Sequence, residues 1–256
     1  MSSLENERHI DSSFPFETIR VFDRSTKEKS IGEMSENLAR WRSNMVARTY
    51  YSSKKERSRI SRENFKLVYW EGMGRHTKTK LRRYQDWLTK QANGACACHG
   101  HLLKWLRKDG DREIKDECPC CGRPEPSTHV TRCEVPDRKA LFMDSVSKVE
   151  QWLQKNTTEP GLQRMLVSYL KERGTAQMSD LLPQPVQGTL HQMMNRYAKI
   201  AEVQDRLGWD CLLEGRIPLI FVQHQHEHIK STQNQMTSKR WAEGIIQQLT
   251  GVVDKQ

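Results

Sequence analysis

The chain has 256 residues, enough for one large domain or two small ones with a buried core. Its apolar share is 36%, against 29% charged residues, so a modest core under a polar surface is expected. The longest apolar run, 217–222, is far short of the ~20 residues a membrane helix needs, and the first thirty residues carry no signal-like apolar stretch. These features predict an intracellular protein that does not enter the membrane.

The net charge of +10 is concentrated. Between Arg42 and Lys90 there are 14 Lys or Arg against 4 Asp or Glu, which accounts for the whole surplus. A basic segment of this kind suits a polyanion, and nucleic acid is the commonest in a cell. The alternative is a solvated basic helix face with no ligand.

In chain order, residues 1–32 predict a mobile polar arm, followed by a helix over 33–51 with Leu38, Trp41, Met45 and Val46 on one side. The stretch 52–62 is too polar to pack. Phe65, Val68 and Tyr69 open an apolar stripe expected to end at a break near Gly72 and Gly74. A helix over 77–91 is expected to align Leu81, Tyr84, Leu88 and Gln91. Pro136 and Asp137 form a helix start, with Phe142, Val146, Val149 and Leu153 at helical intervals behind it. Pro160 opens the next helix, with Leu162, Met165, Leu166, Tyr169 and Leu170 on its apolar face and Gly174 as its stop.

After a loop containing Pro183 and Pro185, a stripe of Val186, Leu190, Met193, Tyr197 and Ile200 runs towards Trp209. A last helix carries Trp241, Ile245, Leu249 and Val252. It has no stop signal before Gln256, which predicts a piece of a longer protein. No window alternates with a period of two, so the expected class is all-α: a bundle-like helical domain with a small structural zinc-binding insert. The expected organisation is a basic arm and helix over 1–60, a basic helical region with a zinc knuckle over 61–135, and a helical domain over 136–256.

Six of the seven cysteines crowd into 96–133, and without a secretory signal they point to metal or free thiols rather than disulfides. The segment CPCCGRPEPSTHVTRC places Cys118 and Cys121 two apart on a turn closed by Gly122, then His129 and Cys133 one helical turn apart. Three thiolates and an imidazole in a closed four-coordinate set predict one structural zinc ion, held by Cys118, Cys121, His129 and Cys133. Pro124 and Pro126 stiffen the intervening loop. Cys120, between the ligands, has the chemistry to substitute for one of them.

The other candidates are weaker. Cys96, Cys98, His99 and His101 have one-residue gaps that close poorly on one tetrahedral ion, so a buried thiol pair with surface histidines is expected rather than a second zinc. His224, His226 and His228 are expected on a solvated polar face, and Cys211 as a small buried hydrophobe. No phosphate loop, nucleophile elbow, zinc-protease helix or adjacent aspartate pair is present, so no catalytic role is expected.

The run from Tyr69-Trp70-Glu71 through Trp87-Leu88-Thr89-Lys90 and Gly94 to the cysteine segment resembles the region after the polymerase in reverse-transcriptase-like reading frames of algal retroelements. Their Cys-Pro-x-Cys-Gly, Glu and His-Val-x-x-Cys pattern is matched by Cys118, Pro119, Cys121, Gly122, Glu125, His129, Val130 and Cys133. Gln204, Leu207-Gly208-Trp209, Gly215-Arg216 and Trp241 are similar to their downstream stretch, and the likeness spans residues 64–253. The polymerase part is absent, so reverse transcription is not implied. The resemblance implies a zinc-containing, nucleic-acid-associated module. Its phosphate contacts are expected at Lys78, Lys80, Arg82, Arg83, Lys90, Lys104 and Arg107, with Trp87 or Trp105 stacking a base if exposed. The competing expectation is a zinc-stabilised protein-interaction scaffold with an idle basic face.

Overall fold

Proline sets two of the helix starts. In the computed structural model, which describes residues 60–92, 117–126, 128–182, 191–233 and 235–254, Pro136 and Pro160 each occupy the first turn of a helix. There the fixed φ suits the helix and the missing N–H has no intrahelical partner to lose. The first of these, α4 (Pro136–Lys155), buries Phe142, Val146, Val149 and Leu153 along one face, as their spacing predicts. In α5 (Pro160–Lys171), the Glu159 carboxylate caps the start by accepting the Leu162 N–H at 2.7 Å. That helix ends where Arg173 and Gly174 both take positive φ, +52° and +78°.

Among the described residues, three short helices precede them: α1 (Arg62–Phe65), α2 (Trp70–Lys78) and α3 (Arg82–Ala92). Four follow: α6 (His191–Leu207), α7 (Trp209–Leu213), α8 (Leu219–Ser231) and α9 (Ser238–Asp254). All described residues lie in one unit, Tyr51–Gln256, and it is mostly helical. No strand occurs among them, only two isolated bridges. The all-α expectation holds.

The centre of the packing is α9. Trp241, Ile245, Leu249 and Val252 are buried in it, and α2, α4 and α8 all pack against it. Burial of such side chains is the dominant favourable term, at roughly 1.5–3 kcal/mol each. Residues 67–69 pair with 217–219 in a short antiparallel contact. Tyr69 N–H donates to the Ile217 carbonyl at 2.9 Å and Leu219 N–H to that of Leu67 at 2.7 Å. Tyr69 thereby joins the same core as α4 to α9.

Three expectations are corrected. The break expected at Gly72 and Gly74 is absent, because α2 runs straight through both. A Cβ on Gly72 would sit 2.6 Å from the Tyr69 ring and 3.1 Å from Ile246, so this glycine permits close packing instead of ending a helix. The helix expected to start at Thr77 starts at Arg82, and Leu81, expected on its apolar face, is 80% exposed. Met193 is also exposed, while Tyr197 and Ile200 of the same stripe are buried. Val186 and Leu190, with the helix expected over 33–51, lie outside the described residues.

Candidate metal centre

The cysteine segment folds as two turns that face each other. The first is a tight knuckle. Cys118 N–H donates to the Arg123 carbonyl at 2.6 Å, Gly122 N–H donates back to the Cys118 carbonyl at 2.8 Å, and Glu117 bridges to Pro124. Gly122 closes it at φ +71°, a conformation that glycine adopts without steric cost. The second is the 3₁₀ turn Val130–Arg132, which His129 starts. Cys133 follows it in extended conformation, so the α-turn expected for His129 and Cys133 is replaced by a tighter turn with the second ligand just beyond it.

The two turns bring the four side chains together. The Cys118 and Cys133 sulfurs are 4.0 Å apart, and the Cys121 sulfur lies 3.2 Å from Nε2 of His129. All four ligand atoms fall within 4.8 Å of one another, a group able to hold a metal ion. Cys118 and Cys133 are buried, while Cys121 and His129 are half-buried. Burial raises the Cys118 thiol, but the backbone N–H groups of Cys120 and Cys121 aimed at its sulfur, with the neighbouring thiols, hold it below its ordinary value. Burial dominates at Cys133 and pushes that thiol up. Amides directed at a sulfur favour the thiolate, the form a metal binds. Cys120 is exposed and outside the group.

The loop is anchored from a distance. Arg173, 5% exposed, donates through Nε and Nη2 to the Thr131 carbonyl at 3.1 and 3.0 Å. It also donates through Nη2 to the Cys133 carbonyl at 2.7 Å and through Nη1 to Oε1 of Glu134 at 3.0 Å. Its guanidinium carbon lies 5.3 Å from the centre of the Phe142 ring in α4. On the other side, Nη2 of Arg132 is 3.8 Å from Oδ1 of Asp210 in α7. No local pattern marks Arg173 as part of this site, because its partners are about forty residues away.

The basic candidates are placed as follows. Lys78, Arg82, Arg83 and Lys90 are exposed on α2 and α3, and Lys80 is half-buried with Nζ 5.9 Å from the centre of the Tyr84 ring. Arg82 pairs with Asp86 at 3.1 Å across one helical turn. Trp87 is half-buried against the core and 5.2 Å from Tyr84, so it is partly committed to packing. Lys104, Arg107, Trp105 and the Cys96, Cys98, His99 and His101 cluster lie outside the described residues.

The histidine reading is corrected in part. His226 is exposed, but His224 is buried and its Nε2 lies 3.0 Å from Oε2 of Glu159. The first turn of α8 carries Phe221 and Val222 into the core, which draws His224 inward with them. Cys211 is buried as expected, and burial pushes its thiol up to about 11.

Comparison with protein-family models, curated proteins and solved structures finds no match. Fold and site together define the class: a helical protein with a Cys3His centre able to hold a metal ion.

Proposed function

We propose that this chain is a zinc-stabilised module of retroelement origin, related to reverse-transcriptase reading frames but without catalysis of its own. It binds nucleic acid non-specifically through its basic half. The observation that carries the reading is the convergence of Cys118, Cys121, His129 and Cys133. Zinc bonded to sulfur at about 2.3 Å in a tetrahedron needs sulfurs about 3.8 Å apart, near the 4.0 Å between Cys118 and Cys133. Four protein ligands leave no position for a reacting water, so the ion is structural. The nucleic-acid part is supported by the exposed Lys78, Arg82, Arg83 and Lys90, with Lys80 beside them.

Binding of two unrelated oligonucleotides at rising salt tests it. Neutralising Lys80, Arg82 and Arg83 together weakens both alike and lowers the salt slope by roughly one for each phosphate that is no longer neutralised. If neither oligonucleotide shows salt-sensitive binding, the nucleic-acid reading fails and an interaction scaffold replaces it.

A further inference from the structure

Arg173 combines three features. Its side chain is almost fully buried, its backbone sits at φ +52°, and each of its guanidinium hydrogen bonds goes to the metal loop or the residue after it. A residue with a Cβ is uncommon in the left-handed region and persists there when its surroundings hold it. Here the holding contacts are the carbonyls of Thr131, within the last turn of the loop, and of Cys133, the fourth residue of the Cys3His group. A buried guanidinium that loses its acceptors is strongly destabilising, so undocking of the loop must open the end of α5 as well.

We infer that Arg173 is the positioning residue of the metal centre and couples occupancy of the Cys3His site to the packing of α4, α5 and α7. The inference rests on the zinc reading given above. The guanidinium fixes the backbone from Thr131 to Cys133, and with it the direction of the Cys133 sulfur. Gly174 extends the same device. A Cβ there would lie 2.8 Å from the Trp209 ring and 2.9 Å from Nη2 of Arg132, so the residue after Arg173 must stay small for the loop to seat against α7. Coupling of this kind is reciprocal: the factor by which bound metal stabilises the docked loop equals the factor by which docking tightens the metal.

The test is zinc competition against a chromogenic chelator, using the full chain and its Arg173→Lys and Arg173→Gln variants. Cobalt(II) substitution serves as a spectroscopic check of ligand geometry. Both variants are expected to retain helical circular dichroism and one zinc, bound 10–100-fold more weakly, the range typical of residues that orient metal ligands. Arg173→Gln is expected to lose more than Arg173→Lys, which keeps the positive charge facing the carbonyls. Affinity within threefold of the unaltered chain for both variants overturns the inference.

If neither variant folds, hydrogen exchange of the unaltered chain with and without zinc decides. Faster exchange at residues 168–174 and 209–213 on zinc removal supports the coupling, whereas change confined to 117–133 overturns it. A chain that holds no zinc at all instead fails the zinc reading, and this inference with it.

Discussion

Glu159 and His224, 65 residues apart in the chain, face each other in the buried core with Oε2 and Nε2 separated by 3.0 Å. The other carboxylate oxygen accepts the Tyr197 hydroxyl at 2.7 Å, and the same residue's backbone N–H donates to Gln225 at 2.9 Å. Next to it, Thr158 accepts the indole N–H of Trp241 at 2.9 Å. The short link between α4 and α5 therefore ties together α5, α6, α8 and α9. Burial alone raises the Glu159 carboxyl. His224, the Leu162 amide and Tyr197 outweigh that effect and hold it at about 2.

Acid stability should carry the signature of that carboxylate. In the unfolded chain it protonates near 4.5 and in the folded chain near 2, so as pH falls the unfolded chain takes up the proton first. The contribution is complete above pH 4.5 and is lost on descending towards pH 2, and it amounts to roughly 3 kcal/mol at 1.36 kcal/mol per unit. Denaturant midpoints at a series of pH values measure it. Glu159→Gln should be less stable at neutral pH and should show a shallower decline below pH 4.5. An unchanged decline would show that Glu159 is not the group responsible.

A second decline should appear at milder pH. His76 is buried in α2, and burial, with the Lys80 charge, lowers its pKa to about 4. Its unfolded value is near 6.5, so the unfolded chain again binds the proton first. Stability is complete above pH 6.5 and falls between 6.5 and 4, by up to roughly 3 kcal/mol. An NMR titration of the His76 ring should give a midpoint near 4, and a midpoint above 6 would remove the basis for this decline.

Two glycines of α2 should respond in opposite directions to the same substitution. Gly72→Ala forces a methyl group into the Tyr69 ring and should cost roughly 1–3 kcal/mol. Gly74 has no atom within 4 Å of the position a Cβ would take and lies mid-helix. Gly74→Ala should therefore stabilise by roughly 0.5–1 kcal/mol. Thermal melts of the two variants suffice, and a shared sign would contradict the packing of α2 on α9.

Metal analysis of the purified chain should give one zinc. Cys121→Ala should lose it and lower the melting temperature, because binding energy at such a site is also folding energy. Cys120→Ser should keep the metal, since that thiol lies outside the ligand group. Retention of zinc in Cys121→Ala, or its loss in Cys120→Ser, would redraw the ligand set. Cys96→Ser should leave the content unchanged.

The sequence determined the helices whose signals are local. Pro136 and Pro160 marked starts, Gly174 marked a stop, and the buried faces of α4, α5 and α9 were legible because one helical turn brings neighbours three and four apart onto one side. The four residues of the group able to hold a metal ion were legible for the same reason, since a knuckle and a turn need only short spacings to aim their side chains at one point. Only the tertiary structure decided which polar residues belong to the interior. His224 carries the same local signal as its solvated neighbour His226, and its fate was set by a carboxylate in another part of the chain. The burial of Arg173 was likewise set by backbone carbonyls forty residues away. Gly72 looked like a break because spacing records that a side chain is missing, not that a tyrosine ring fills the gap. Periodicity encodes which side of an element faces inward. The partners that make an inward polar group stable come from elsewhere in the chain, and only packing brings them within hydrogen-bonding distance.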